Sequence, residues 1–516
     1  MHALSWTFTA ANVPHRCRLP DEQPNASYWQ PAEKFNPEVF NKTECDREAH
    51  PQWVDCPYES CKLYKDVDSC PNGYVFDLSR IHYSAIYRWE IVCDRQVLKA
   101  VIQSMYYIGQ MIGSLIFGFL GDRIGRKKVF FIAIVTQIVS GIGMGVAPQW
   151  QLFSLLRIGV GLAHPGIFVI AVVIGMELVG PSKRKIASVI TGIFFSLGQM
   201  ALGILAFFIR DYQILQTVIA IPALLFLAYW WIIPESARWL VSQRRYEEAD
   251  KVLQRAAKMN KTKLPEKWWE NIEVSAEPIS EKTNAVHNRK HNFLDLVKTP
   301  KIRRISFAAF FCWPVVSMVY YGISMNTNFL GGNLYSTFVF GAFMEIPAVL
   351  IVYFVIDIIG RKPLLAGGYT VAALCMLSNL IVDGNVHWLI SMAQFLLAKT
   401  AITCTYASIY TFTPELFPTV IRNTAMGVCS MMARFGAIVA SYISMWLVEE
   451  FGKLAMILPF ASLTLCAAVV VMVFLPETAG LALHETIDQA EGVVPSHELR
   501  PLSSGSPTQE RDEKVD

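Results

Sequence analysis

Four cations and acids stand in this sequence where solvent cannot reach them cheaply. Glu345, Lys399 and Arg434 each lie ten to thirteen residues inside an apolar run, which at 1.5 Å per residue of helix is about 15 to 20 Å deep. Arg157 is a shallower cation in the first half of the chain. An ionisable group at that depth costs at least a few kcal/mol unless it is paired or hydrated, so each is a candidate for function. Two readings are open: a buried pair such as Glu345 with Lys399 that only satisfies itself, or charges that face a central cavity and select its occupant. Trp313, Tyr320 and Tyr321 share one apolar run with Gly322, which would allow local unwinding. Their rings could hold organic cations by cation–π contact and other solutes by stacking. His164 beside Pro165 reads as a satisfied histidine at a helix kink in preference to a proton relay. Trp230 and Trp231 read as interface anchors.

A second set of charges repeats. Gly121-Asp122-Arg123-Ile124-Gly125-Arg126-Lys127 recurs as Ile356-Asp357-Ile358-Ile359-Gly360-Arg361-Lys362. Glu177 with Arg184 recurs as Glu415 with Arg422, and Pro234-Glu235-Ser236 recurs as Pro476-Glu477-Thr478. The offsets are nearly constant, so the chain reads as two homologous halves. Asp122 and Arg126, and Asp357 and Arg361 in the second half, could form a charged latch that holds one half against the other and releases as they rock. Glu235 with Arg238, like Glu415 with Arg422, would pair in the same network. The competing view is that Arg123, Arg126 and Lys127 merely set topology. Gly113, Gly118, Gly121 and Gly125 would let helices approach closely.

The elements that must position these residues are membrane spans. Of 516 residues 53% are hydrophobic and only 17% charged, against roughly 25% charged in soluble domains, and the mean hydropathy is +0.35. Such a chain exposes more apolar surface than water tolerates. Eleven runs of about 20 apolar residues or more begin near 96, 129, 151, 186, 213, 305, 335, 364, 386, 424 and 453. Lys and Arg in the loops after the first, third, seventh and ninth runs place those loops in the cytoplasm. Residues 1–95 are then outside, and residues 234–303 and the tail from 476 inside. Residues 1–12 resemble the outer end of a twelfth, truncated span.

Cysteine usage agrees with that orientation. Cys17, Cys45, Cys56, Cys61, Cys70 and Cys93 cluster ahead of the first complete run, and an even set outside the cell reads as disulfides whose pairing the sequence leaves open. Zinc is disfavoured by the spacing. Asn25 and Asn41 begin glycosylation sequons in the same segment, whereas the sequon at Asn260 lies inside and should stay unmodified. The expected divisions are 1–12, the first-helix remnant; 13–95, the Cys-rich glycosylated loop; 96–233, the N-terminal bundle; 234–303, the cytoplasmic linker; 304–475, the C-terminal bundle; and 476–516, the tail.

The segment from Gly118 to Lys127 resembles the signature of the major facilitator superfamily. Pro234-Glu-Ser-Ala-Arg238-Trp239-Leu240, Pro414-Glu415-Leu-Phe-Pro418-Thr-Val-Ile-Arg422-Asn423 and the six-cysteine loop are similar to those of its organic cation and organic anion transporters. The likeness runs over about residues 1–490. It implies an all-α membrane protein with the two-bundle fold, eleven complete spans plus a truncated first helix, a plasma-membrane location, alternating access and a central cavity for small organic ions. Trp313 and Tyr320 match cavity-lining positions of the cation transporters, and Glu345-Ile-Pro347 resembles their pattern. Arg434 stands where many cation transporters carry aspartate and where anion and carnitine-type transporters carry arginine. Val349 stands where anion transporters carry lysine. One acid and two bases could serve the two ends of a zwitterion, which ranks zwitterionic or cationic amines, such as carnitine-like or amino-acid-derived compounds, first and organic anions second.

Other classes have little support. The sequence holds no GxxxxGK[ST], HExxH or GxSxG motif, so ATP-driven pumping and hydrolysis are not expected, and a formal charge of +3 gives no reason to expect nucleic acid. No cofactor is expected. The expected partners are a small organic ion, the bilayer and a co-transported or exchanged ion. A truncated, non-transporting form is the rival reading. Residues 244–260 form an amphipathic helix and the tail from about 492 is polar, and either could bind a regulator.

Overall fold

The computed structural model describes residues 1–18, 23, 28, 70, 72–79, 83–178, 184–265, 268–269, 293–326, 334–381, 388–481 and 484–492. A short buried helix, α1 (Trp6–Thr9), precedes a two-stranded antiparallel ribbon of β1 (His15–Cys17) and β2 (Tyr74–Phe76) in which Arg16 faces Val75. Cys17 and Cys70 form a disulfide beside the ribbon, and Cys93 is disulfide-bonded as well. Cys45, Cys56, Cys61, Asn25 and Asn41 lie outside the described residues.

After α2 (Ala85–Trp89) come the long helices α3 (Val97–Ile124), α4 (Arg126–Val146), α5 (Trp150–Leu178), α6 (Arg184–Phe208) and α7 (Tyr212–Ala220). The last of these continues as a 3₁₀ segment and α8 (Tyr229–Ile232). Two short helices follow, α9 (Ala237–Ser242) and the expected amphipathic helix α10 (Tyr246–Met259), whose Ala249 packs on Trp239 and Leu240. The second half runs α11 (Asp295–Lys298), α12 (Pro300–Met325), α13 (Leu334–Phe343), α14 (Glu345–Ile359), α15 (Arg361–Ile381), α16 (Trp388–Leu416) and α17 (Thr419–Tyr442). It ends with a π-helical turn at Ile443–Leu447, α18 (Val448–Phe451), α19 (Leu454–Phe474) and α20 (Ile487–Glu491).

Among the described residues ten helical segments are long and apolar enough to cross a membrane, one fewer than the eleven runs. The difference is α16, which at 29 residues has the length. Lys399 and the hydroxyls of Thr400, Thr403, Thr405, Ser408, Thr411 and Thr413 lower its hydropathy, and most of them are buried against neighbouring helices. This is the reason its sequence looks less like a span than its packing does.

Each half builds its own core. In the first, α5 lies against α3 and α4; in the second, α12 packs on α17 and α19 while α15 packs on α16 and α19. Close approach of α3 and α5 rests on Gly109 and Gly113, where a Cβ would stand 2.3 Å from the Ile158 carbonyl oxygen and 2.2 Å from that of Leu162. Gly118 corrects the expectation: a Cβ there would meet nothing within 4 Å, and at Gly121 only the tip of Ile170 at 4.0 Å. The pair stays in contact there through Phe117, which packs on Gly166 and shares a buried cluster with Ile170, but Gly118 lies on an exposed face, so a small residue at that position is not required by packing. Gly322 corrects it too. Helix α12 continues through it to Met325 without unwinding, and the missing side chain makes room for the Phe460 ring, whose Cε2 would lie 2.2 Å from a Cβ.

The two halves meet along α6 and at the end that carries the Cys-rich segment. Phe8, Tyr106, Tyr107, Leu202 and Ala206 share one buried cluster with Met325, Phe338, Ala437 and Met445. Phe8 packs edge-on against Phe338 with ring centroids 4.8 Å apart. A charge pair closes the same end: Lys99 Nζ lies 2.8 Å from Glu449 Oε2 and donates to Asn12 Oδ1 at 2.5 Å.

Candidate functional site

Glu345 opens α14 at the depth where α6 of the first half lies against it. Its side chain is 3% exposed and its carboxylate is fully engaged. Oε1 receives Lys399 Nζ at 2.9 Å and the Tyr320 hydroxyl at 2.7 Å; Oε2 receives Gln199 Nε2 at 2.6 Å and Ser196 Oγ at 3.4 Å. A carboxylate has about four lone-pair sites, and here all four are filled. Of the donors, Ser196 and Gln199 come from the first half and Tyr320 and Lys399 from the second, so the acid ties the halves together. The lysine has a second set of neighbours: Nζ donates to Ser324 Oγ at 2.5 Å and lies 3.7 Å from the centroid of the Tyr320 ring.

Arg434 is placed differently. Nη1 donates to the Ser430 carbonyl at 3.4 Å, Nε has no acceptor, and no carboxylate lies within ion-pair distance among the described residues. Its surroundings are aromatic, and it interacts electrostatically with Tyr321, Tyr406 and Tyr410. Tyr406 stacks on Tyr320 at 5.2 Å, Tyr410 meets Tyr406 edge-on at 5.5 Å, and Trp313 meets Tyr410 at 4.7 Å. Trp313 donates its indole N–H to Thr413 Oγ1 at 3.0 Å, and Tyr321 packs on Tyr107 of the first half at 5.1 Å. The structure thus brings Trp313, Tyr320, Tyr321, Glu345, Lys399 and Arg434 into one cluster, in which Trp313, Tyr320, Glu345 and Lys399 are buried and Tyr321 and Arg434 half-buried.

Beside this cluster is a cavity of about 300 Å³ whose lining includes Tyr106, His164, Gln199 and Tyr321, with Met1 to Leu4 along one wall. Gln199 carries the cavity to Glu345, and Tyr321 carries it to Arg434. His164 is hydrogen-bonded, its Nδ1 2.8 Å from Gln110 Nε2, with Pro165 next to it inside α5. Arg157, the shallower cation, is buried among side chains: it is 1% exposed, bonds Gln103 Oε1 at 2.5 Å and sits 5.4 Å from the Trp6 ring centroid. The aromatic α1 segment reaches it from the side, which burial of an apolar run alone does not reveal.

The repeated charges form two matching networks, each inside its own half. Arg126 Nη2 pairs with Asp122 Oδ1 at 3.2 Å and Arg361 Nη1 with Asp357 Oδ1 at 3.1 Å, one helical turn apart in both cases. Gly125 and Gly360 then take φ of +105° and +100°, a conformation glycine adopts without strain. The helices that start there expose backbone N–H groups, and distant acids cap them: Glu235 Oε1 accepts from Lys127 N at 3.0 Å, and Glu477 accepts from Arg361 N and Lys362 N at 3.1 and 3.0 Å. A carboxylate suits a helix N-terminus because it meets both unpaired donors and the positive end of the dipole. The described contacts of Asp122 and Arg126 do not cross to the other half. Glu415 pairs with Arg361 at 3.1 Å in place of Arg422, which donates to the Phe417 carbonyl at 3.4 Å. Arg238 is exposed and forms no ion pair with Glu235 among the described residues. The side chains of Glu177 and Arg184 lie outside the described residues.

Sequence reading missed Gln199, Ser196, Ser324, Tyr406 and Tyr410. Lys399, Thr403, Tyr406 and Tyr410 recur at helical spacing on one face of α16, and that signal was available. Ser196 and Gln199 are small polar groups three apart in an apolar helix and carry no signal of their partner. Lys99 and Glu449 stand 350 positions apart, a pairing that only the fold supplies.

A helical two-bundle membrane protein with charged and aromatic groups buried between its halves is a transporter architecture, and the comparisons agree. The profile of the sugar (and other) transporter family matches residues 26–489. The chain is 37% identical to the organic cation transporter protein of Drosophila melanogaster over 95% of this chain and 89% of that one. It is 30% identical to organic cation/carnitine transporter 2 of Homo sapiens over 94% and 87%. The inward-open xylose transporter XylE from E. coli superposes with a TM-score of 0.56 at 19% identity, covering 77% of this chain and 89% of that one, which speaks for the fold alone. The chain belongs to the organic cation and organic anion transporter (solute carrier) family of the major facilitator superfamily, and is a multi-pass membrane protein.

Proposed function

We propose that the chain carries small organic ions with an ammonium group across the plasma membrane by alternating access, and that its preferred solutes are zwitterions of the carnitine or amino-acid type. One observation carries the reading: a buried acid, a buried lysine, a half-buried arginine and a tyrosine-rich wall converge beside a cavity of about 300 Å³, the low end of the volume range of small-molecule sites. The relatives named above as organic cation and carnitine transporters support it. In this reading Arg434, whose charge has no ionic partner among the described residues, takes the carboxylate of the solute, and Glu345 and the rings take its ammonium end.

The Cys-rich end is the outer face and residues 234–303 and the tail are inside, so the contact of Phe8 with Phe338 and of Lys99 with Glu449 closes the outer side. The first-half and second-half bundles would rock about the Glu345 junction to open it. Organic anions are the second reading, favoured by the same uncompensated charge at Arg434. Uptake of labelled carnitine, tetraethylammonium and an aromatic carboxylate by cells expressing the chain tests both. Carnitine uptake above that of untransfected cells is expected; transport of the carboxylate alone would favour the second reading, and transport of none would refute both.

A further inference from the structure

We propose that Lys399 is a tethered counter-ion that occupies the solute's ammonium position on Glu345 when the site is empty, and so sets the charge class the carrier accepts. The inference rests on the reading of the site just given and adds a residue and a selection rule to it.

The geometry supports displacement. The ammonium of Lys399 lies at 2.9 Å from Glu345 Oε1, on the side of the carboxylate that a solute ammonium would have to face, a quaternary one as a longer ion pair because it has no N–H to donate, since the other lone-pair positions are taken by Tyr320, Gln199 and Ser196. A permanent structural pair would leave a lysine stranded when broken. Here it would not be stranded. Ser324 Oγ at 2.5 Å and the Tyr320 ring at 3.7 Å hold the same Nζ independently of the carboxylate, and a cation over a tyrosine face keeps much of its stabilisation. Leaving Glu345 therefore costs Lys399 one of three contacts. Gln199 and Tyr320 meanwhile stay on the acid and hold it in place for the incoming group.

Selection follows from charge. Glu345, Lys399 and Arg434 together leave one net positive charge in a poorly screened cluster. A solute with only an ammonium adds a second positive charge there. A zwitterion brings the carboxylate that Arg434 lacks along with the ammonium that displaces Lys399, and adds no net charge. The rule is that a carboxylate on the solute offsets the cost of evicting the lysine.

The test is uptake of carnitine against carnitine methyl ester, which keeps the ammonium and most of the bulk and removes the carboxylate charge. Initial rates would be taken at equal surface abundance. The unchanged protein is expected to favour carnitine. Lys399→Met removes the competing ammonium and one positive charge, so the ester-to-carnitine ratio of kcat/KM should rise about tenfold or more, the worth of one charged contact. Lys399→Gln, which can still bond Glu345 and Ser324, should shift the ratio in the same direction by less.

A ratio within about twofold of the unchanged protein in either variant overturns the proposal and makes the pair purely structural. If neither variant reaches the surface, Glu345 cannot part from its lysine, which overturns it as well. If the unchanged protein moves neither probe, the failure belongs to the proposed function and not to Lys399.

Discussion

Replacing Glu449 with Gln should loosen the closure between the bundles at the Cys-rich end. Lys99 Nζ lies 2.8 Å from Glu449 Oε2, with side-chain exposures of 5% and 19%. Exposed pairs contribute about 0.2–1 kcal/mol, and breaking a fully buried pair costs about 3–5. This half-buried pair falls between, at roughly 1–3 kcal/mol, because Asn12 Oδ1 remains to receive Lys99. If the pair exists only when this end is closed, that energy shifts the closed-to-open ratio by about 5- to 150-fold. Ser444 lines the small cavity at this junction and is 4% exposed, so Ser444→Cys reports opening through its reaction with a membrane-impermeant maleimide. The Ser444→Cys, Glu449→Gln protein should label at least about fivefold faster than Ser444→Cys alone. Adding Lys99→Met should give no further increase, since both changes remove the same contact. Equal labelling rates in all three would refute the reasoning and leave the closure to the aromatic cluster around Phe8.

Two further outcomes follow from local geometry. Gly322→Ala drives a Cβ to 2.2 Å from Phe460 Cε2 and should destabilise the purified protein by about 1–3 kcal/mol in thermal melts, whereas Gly118→Ala, with nothing within 4 Å, should not; equal melting would refute the packing account. Burial of the Glu477 carboxyl works against ionisation, but N–H groups of Ala479, Lys362, Arg361 and Thr478 outweigh it and hold its pKa below the usual range. Its capping of α15 is therefore complete above the unfolded value near about 4.3 and is lost only as pH falls through the lower folded value. Hydrogen exchange at the Arg361 and Lys362 amides, corrected for intrinsic rates, should keep its protection from pH 7 to about 5, and Glu477→Gln should weaken that protection throughout.

The architecture was legible because lipid leaves few choices. An apolar run of 20 residues that must satisfy its own backbone becomes a helix, and the recurrence of Asp122 and Arg126 as Asp357 and Arg361 revealed the duplication before any contact was known. Depth in a run also found Glu345, Lys399 and Arg434. What depth does not report is direction around the helix axis. Whether Lys399 points at Glu345 or at a neighbour depends on rotation and on the tilt of α16, and the polar partners Gln199 and Ser196 lie in another bundle altogether. The role of Gly322 was misread for a related reason: an absent side chain records that space is needed, and only the Phe460 ring shows what fills it.

Arg434→Asp tests the central claim most directly, because it changes the local charge by two units where the structure supplies no ionic partner among the described residues. Initial uptake of carnitine and of tetraethylammonium would be measured at equal surface abundance. The account predicts that the ratio moves towards tetraethylammonium by more than about tenfold, since a carboxylate loses its counter-charge and a permanent cation gains one. An unchanged ratio at normal surface abundance would contradict the account and make Arg434 a structural residue of the tyrosine cluster.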